Sequence, residues 1–182
     1  MVEAENANLF DALESGTCEG ASGAVCVSTF NQDRVEHDAP NLNHRIVFDI
    51  YIEVHNLYKI AGWVKASAPE DNSFWVGVDG SVPWIWDLED TNGVFESQLI
   101  NNRGTGDENS PEVEAVSFLL DEGHHTLEIY LREDDAMLDR ISLVPVELEP
   151  VAMLSMGQSV EVSSTFSAQY QAFNVVDGDI ST

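Results

Sequence analysis

The 182-residue chain carries 7 Lys+Arg against 33 Asp+Glu, a formal net charge of -26 at pH 7. Phosphate polymers and anionic lipid surfaces are repelled by such a chain, which argues against nucleic acid and membrane as partners, and no run of about 20 apolar residues is available to span a bilayer. The length allows one domain of ordinary size with a remainder, and a domain of about 150 residues buries roughly 70% of its unfolded surface, enough to fold as a monomer. So acidic and lysine-poor a surface suits high ionic strength, where the Debye length shrinks to about 3 Å at 1 M salt. A marine or saline bacterial habitat is the expectation. The N-terminus lacks a basic segment followed by an apolar core, so any export signal is expected to have been removed or never present.

Val2-Glu3-Ala4-Glu5 opens the chain and reads as a strand. Successive strand side chains face opposite ways, so Glu3 and Glu5 share a face, where a carboxylate pair suits a hard cation such as Ca²⁺. Asp139, in the stretch Met137-Leu138-Asp139-Arg140-Ile141, supplies a third carboxylate; the bland alternative is three solvated acids that never meet. Cys18 and Cys26 are the only cysteines and flank a flexible Gly/Ala/Ser stretch. A disulfide there contributes roughly 2.5 kcal/mol on chain-entropy grounds; two buried free thiols are the alternative. Two cysteines with no histidine near them in sequence do not make a closed zinc site.

From residue 45 the apolar period is two. Ile46, Phe48, Ile50, Ile52 and Val54 fall on one face of a strand over residues 45–54, His55-Asn56 marks a turn, and residues 57–66 form the return strand. Residues 73–80 read as a strand ending in the Asp79-Gly80 turn signal. In Pro83-Trp84-Ile85-Trp86-Asp87 the two tryptophans share a face behind a stiffening proline. The segment from Asn101 to Pro111 has no apolar residue and reads as an exposed loop, either an insertion or the rim of a site. Strands over 114–120, 126–132 and 136–144 complete the set. Short strands separated by Gly, Asn, Asp and Pro clusters, with no capped 3.6-residue period, predict an all-β antiparallel sandwich. The acidic, proline-ended stretch 147–150 reads as a linker between a first domain, 1–146, and a Ser/Val-rich tail, 151–182.

Four stretches of the first domain resemble the family 6 and family 35 carbohydrate-binding modules, galactose-binding-like jelly-roll sandwiches appended to polysaccharide-degrading enzymes. These are the opening Glu3-Ala4-Glu5; residues 57–64 around Tyr58, Gly62 and Val64; the run Ser73-Phe74-Trp75-Val76-Gly77-Val78-Asp79-Gly80; and His125 to Ile141, with Arg132-Glu133-Asp134 and Leu138-Asp139 in the family's order. Asp135 departs from the pattern, which has Gly there. In the tail, residues 157–165 and 173–182 resemble the beginning of a discoidin-type module similar to family 32 carbohydrate-binding modules; Asp177, Asp179 and Thr182 match its calcium-binding stretch, and a tail so truncated is not expected to form its own core.

The resemblance implies a structural Ca²⁺ held by Glu3, Glu5 and Asp139, pinning the two ends of the domain. Sugars present hydroxyls and apolar C–H faces, so their sites need an aromatic platform with polar groups beside it. Trp84 and Trp86 are the candidate platforms and Asp87 the hydroxyl acceptor, with core packing as the alternative for either ring. Arg132 and Glu133, in the turn before the last strand, are candidates for a uronate or paired hydroxyls, against the alternative of an ion pair. Trp63, Trp75, Tyr58 and Phe74 read as core. His124 and His125 are adjacent in a strand and point to opposite faces, and no nucleophile or zinc motif appears, so the chain itself is not expected to be an enzyme. The expected function is that of a secreted, non-catalytic module that binds poly- or oligosaccharide and targets a covalently linked catalytic domain to it. Neutral or lightly charged glycans fit the net charge best. A cell-surface adhesion module is the alternative, and a free-standing hydrolase or lyase comes third.

Overall fold

The computed structural model describes residues 1–10, 13–29, 38–66, 72–104, 106, 114–133 and 136–147. One compact unit spans Met1–Val146 and a second spans Glu147–Thr182. The tail's expected strands, with Asp177, Asp179 and Thr182, lie outside the described residues, as does Asp134.

Two antiparallel sheets form the first unit. One contains β2 (Asn8–Leu9), β5 (Arg45–Ile52), β11 (Gly123–Leu131), β7 (Ser73–Val78) and β8 (Trp84–Asp87), adjacent in that order. Alternation makes β5 a strand. Ile46, Phe48, Ile50 and Ile52 are buried while Asp49 and Tyr51 between them are exposed, and the register sets Phe48 opposite Leu127 and Ile46 opposite Ile129, both fully buried.

The other sheet is centred on β6 (Asn56–Lys65) and β12 (Met137–Pro145). Along the far edge of β12 run β1 (Val2–Glu3) and then β4 (Val25–Ser28), with β3 (Glu14–Thr17) outside β4. Along the far edge of β6 run β9 (Glu96–Leu99) and β10 (Ser117–Leu120), which behave as one interrupted edge strand. β9 opposes residues 64 to 61 of β6 and β10 opposes residues 59 to 56, while an Asn101–Ala115 bridge closes the loop between them. β1 takes only Val2–Glu3 of the strand expected over residues 2–5, β2 is two residues long, too short to show a period, and β8 is a strand where the sequence reads as a ligand-presenting segment.

The core lies between the sheets. Trp86 is completely buried against Phe74, ring centroids 5.7 Å apart, and sits over Gly62. A Cβ at Gly62 would lie 2.4 Å from Trp86 Cη2, so the approach of ring to backbone requires glycine. A smaller cluster covers the outside of the β6–β12 sheet. There Cys18 and Cys26 are joined by a disulfide with Cα atoms 5.7 Å apart, and Phe95, Ala21, Trp63 and Met137 pack around it. The bond settles the choice between a bridged loop and free thiols.

Candidate functional site

Four of the five residues expected to touch sugar are buried in the protein. Trp86 is in the core: its i, i+2 partnership with Trp84 is real, but the face they share points inward. Asp87 is 1% exposed and receives Arg103, whose Nε lies 2.9 Å from Oδ2. Asn101 completes the clamp. Its side-chain amide donates to Asp87 O at 2.7 Å and its Oδ1 accepts Asp87 N at 3.0 Å, while Arg103 N donates to Ile85 O at 3.0 Å. The start of the segment read as an exposed loop is therefore hydrogen-bonded along β8 and closes the gap between the edges of the two sheets.

Arg132 and Glu133, 8% and 3% exposed, form a buried ion pair. Glu133 Oε2 accepts Asn72 N at 2.9 Å and Ser73 Oγ at 2.6 Å, and Arg132 Nη1 donates to the same hydroxyl at 2.6 Å. Nearby, buried Thr91 exchanges hydrogen bonds with Ala66 through Oγ1, donating at 2.8 Å and accepting at 3.1 Å. These groups pin the start of β7, the end of β6 and the turn before β12. Buried charges persist only when paired, and here each charged residue expected to touch sugar, Asp87, Arg132 and Glu133, is held in such a pair.

Trp84, on the same inward face and packed against the rim of the core, is the one of the five that keeps some exposure. It is half-buried, its Nε1 donates to Asn101 O at 2.9 Å, and its ring lies on Phe118 with centroids 5.8 Å apart and planes 26° apart. The two rings line an open groove of about 380 Å³ between β7–β8 and β10, with Val78, Asp79, Ser81 and Ser117 on its walls. A more polar depression of about 270 Å³, lined by Glu89, Gln98 and Asn101 among others, adjoins the same loop base. Sequence reasoning missed Phe118 and Asn101, which lie 34 and 17 positions beyond Trp84 and leave no local signal. Of the other aromatic residues, Phe74 is core as expected, whereas Trp63, Trp75 and Tyr58 are half-buried.

At the groove wall Asp79 Oδ2 lies 2.6 Å from His125 Nδ1 and Oδ1 accepts Thr126 N at 2.8 Å. The other ring nitrogen of His125 lies 2.9 Å from Asp121 O. Both nitrogens face acceptors, which only the imidazolium satisfies. The Asp79 bond raises the His125 pKa above 6.5, aided by Asp121 and opposed by burial. For Asp79 burial pushes upward, but the hydrogen bonds from His125 and Thr126 together outweigh it and leave the pKa below 3.8. His124 pairs separately with Asp49 at 2.8 Å, on the opposite face from His125 as expected.

The acidic cluster differs from its expected form. β1 ends at Glu3, and Glu5 stands in a 3₁₀ turn, Ala4–Asn6, so the two do not share a strand face. They are nevertheless neighbours of Asp139, which is completely buried beside a register shift in β12. Asp139 Oδ1 accepts Ser22 N at 3.0 Å, Oδ2 accepts Arg140 Nη1 at 2.8 Å, and Ser22 Oγ donates to Glu3 Oε1 at 3.3 Å. Burial raises the Asp139 pKa above 3.8, with Glu3 and Glu5 adding to the rise and Ser22 and Arg140 opposing it. The Oε2 atoms of Glu3 and Glu5 are buried with no hydrogen-bond partner among the described residues. Among those residues no three His, Cys, Asp or Glu side chains converge as a ligand group.

No protein-family model matches the sequence, and no curated protein matches it. Solved structures do resemble it. A family 35 carbohydrate-binding module from Clostridium thermocellum superposes with TM-score 0.57 at 16% identity, over 78% of this chain and 95% of that one. A GH26-CBM35 β-(1,4)-mannanase from Podospora anserina gives TM-score 0.56 at 20% identity over 82% of this chain, which spans only 28% of the mannanase. The C-terminal family 6 module of a marine laminarinase from Zobellia galactanivorans gives 0.51 at 13% identity, over 78% of this chain and 95% of that one. The chain has the antiparallel β-sandwich fold of the family 35 and family 6 carbohydrate-binding modules.

Proposed function

We propose that this chain is a non-catalytic carbohydrate-binding module and that the Trp84 groove receives the sugar. One observation carries the reading: Trp84 alone among the five residues expected to touch sugar keeps some exposure, its indole fixed at Nε1 by Asn101 and backed by Phe118 beside an open groove. A ring held in place loses little freedom when a pyranose stacks on it, and the Ser81 and Ser117 hydroxyls lie within the same walls to meet sugar hydroxyls. The mannanase and laminarinase modules are parts of larger enzymes, so the same arrangement is proposed here: a secreted module, carried by a catalytic partner, that raises the partner's concentration on its polysaccharide. A disulfide between Cys18 and Cys26 supports an oxidising compartment. The division at 147–150, with a discoidin-type neighbour beyond it, belongs to the same proposal. Affinity electrophoresis in gels containing laminarin, galactomannan or a neutral galactan tests it. Retardation by one of these, abolished in Trp84→Ala with unchanged melting, is the expected result; retardation that survives Trp84→Ala moves the site elsewhere.

A structural Ca²⁺ completes the proposal. The unpaired, buried Glu3 and Glu5 oxygens and the upward-shifted Asp139 carboxyl make an excess of negative charge that a hard cation relieves. The three carboxylates are neighbours that do not converge as a ligand set in this structure; an ion drawing them together would supply positive charge and tie β1 and its turn to β12. Because it binds only the folded state, chelation should lower the melting temperature; equal melting in EDTA and in Ca²⁺ would remove it.

A further inference from the structure

The chain has seven Lys+Arg, and their placement is uneven. Arg45 stands 3.7 Å from Glu128, Arg103 is on Asp87 and Arg132 on Glu133, while Arg34 lies outside the described residues. The remaining three are both lysines and Arg140, and the strand register gathers them on one outer face. In β6, Lys59, Ala61, Trp63 and Lys65 alternate with the inward residues Ile60, Gly62 and Val64. Arg140 is the cross-strand partner of Trp63, with Ser142 beside Ala61 and Val144 beside Lys59; across the other edge Ser97 and Leu99 face Trp63 and Ala61. Among these outward rows of β6, β12 and β9 stands no Asp or Glu, in a chain that has 33; the first acid on this face is Glu3 of β1, opposite Arg140 across the other edge of β12 and away from both lysines. Neither lysine has an ion-pair partner among the described residues. Two of the three cations rest on rings: Arg140 Cζ is 4.7 Å from the Trp63 centroid and Lys65 Nζ is 5.9 Å from that of Phe95.

We infer that this outer face, whose β6 row carries both lysines and no acid, binds a sulfated polysaccharide running along β6, at a site separate from the Trp84 groove. Lys59 and Lys65 are six residues apart on one strand, roughly 20 Å at strand rise. That spacing suits charge repeating along a polymer better than one anionic sugar. A lysine ammonium is a compact point charge whose three donors meet a tetrahedral sulfate from any side, whereas a carboxylate is best read by an arginine fork. The one fork here, Arg140, lies on Trp63 and already donates to Asp139. Trp63 is partly covered by Arg140 and the disulfide cluster, so exposed Leu99 and Val144 offer the apolar contact to sugar C–H groups. The net charge of -26 opposes a polyanion at long range, but screening confines that field to about 8 Å at 0.15 M salt and to less in saline water. A ligand in contact with this face therefore meets mainly its own cations.

The test uses the full chain in affinity gels containing carrageenan (sulfate), polygalacturonate (carboxylate) or laminarin (neutral), at 50 and 500 mM NaCl. Carrageenan should retard the protein, with apparent affinity at least tenfold weaker at the higher salt and at least tenfold weaker in Lys59→Gln/Lys65→Gln. Trp84→Ala should leave carrageenan binding intact, and the double lysine variant should leave laminarin binding intact, so failure of one site is distinguishable from failure of the other. Equal melting of the double variant and the wild type verifies its fold; should it melt lower, single Lys59→Gln, expected to weaken carrageenan binding severalfold, takes its place. Absence of retardation by carrageenan at 50 mM NaCl, retardation by polygalacturonate alone, or lysine variants as tightly retarded as wild type each overturn the inference.

Discussion

Removing Arg103 is the sharpest test of how the two sheet edges are joined. Asp87 is 1% exposed and its carboxylate takes the Arg103 guanidinium through two nitrogens. In Arg103→Ala that charge stays buried without its cation. Breaking a buried pair from one side costs about 3–5 kcal/mol, and a domain of this size loses about 2–4 °C in melting temperature per kcal/mol, so calorimetry should show a fall of about 6–20 °C. The carboxylate, more than the lost contact, causes that fall, so Asp87→Asn in the Arg103→Ala background should recover part of it; a neutral amide needs no cation. Glycan retention should weaken in Arg103→Ala as well, because Asn101, next to the clamp, fixes the Trp84 indole. The reasoning fails if Arg103→Ala costs less than about 1 kcal/mol, or if the double variant melts no higher than the single one.

Gly62→Ala should destabilise by about 1–3 kcal/mol, read as a denaturant midpoint shift at constant slope, because the new Cβ meets the completely buried Trp86 ring, which has no space to yield; a neutral result would mean that the two sheets can part there. Cys18→Ser/Cys26→Ser should lose about 2.5 kcal/mol, with the satellite cluster of Phe95, Ala21 and Trp63 loosened as well, and thermal melting with and without reductant should reproduce the difference in the wild type only. His125 gives a pH signature. Its folded pKa is raised above 6.5, so its stabilisation is full below pH 6.5 and lost as pH rises through the raised value, while Asp79, with a folded pKa below 3.8, adds stability above pH 3.8 that is lost on acidification through its lowered value. The groups facing His125 are the Asp79 carboxylate and the Asp121 carbonyl, with His55 joined to Asp121 at 2.6 Å. The melting difference between wild type and His125→Asn should therefore be greatest between about pH 4 and 6.5 and shrink toward pH 8; a pH-independent difference would show that the ring acts by shape alone.

The scaffold was legible because its cause is local. Alternation in residues 45–54 and the Asp79-Gly80 turn are properties of neighbouring residues, and β5 and β7 formed where those patterns placed them, except that β5 ends at Ile52 and leaves Val54 exposed. The site was less legible because the same local pattern has two outcomes. A Trp-x-Trp-Asp run looks alike whether its shared face meets water or a second sheet, and what turned it inward was Gly62, twenty-four positions before Trp86 and on another strand. Arg132 and Glu133 gave the same ambiguity: their burial depends on Asn72 and Ser73, about sixty residues earlier in the chain. In the acidic opening the nearness of Glu3 and Glu5 to Asp139 was legible but the geometry was not, because nothing in Glu3-Ala4-Glu5 announces that the strand gives way to a 3₁₀ turn at Ala4.

The scarcity of cations explains why the surface divides as it does. With seven Lys+Arg to 33 acids, any buried carboxylate must take one of few partners, and Arg103 and Arg132 are held inside for Asp87 and Glu133. Arginine suits that role because its planar fork satisfies two carboxylate oxygens at once and it is shed from water more readily than an ammonium. The lysines, poor at such pairing and strongly hydrated, are left to the outside. Spread evenly, they would each be neutralised by the acids around them. Both instead lie in one outward row of β6 that no acid shares, where register alone sets their neighbours as Trp63, Ser142, Val144 and Leu99. A face of this kind is maintained only by keeping carboxylates out of three strands at once, and a single acid there, such as Ser142→Asp beside Ala61, would neutralise the row as effectively as losing a lysine. If the face binds sulfated chains, that substitution should weaken carrageenan retention severalfold without lowering the melting temperature; unaltered retention would locate the anionic ligand away from β6.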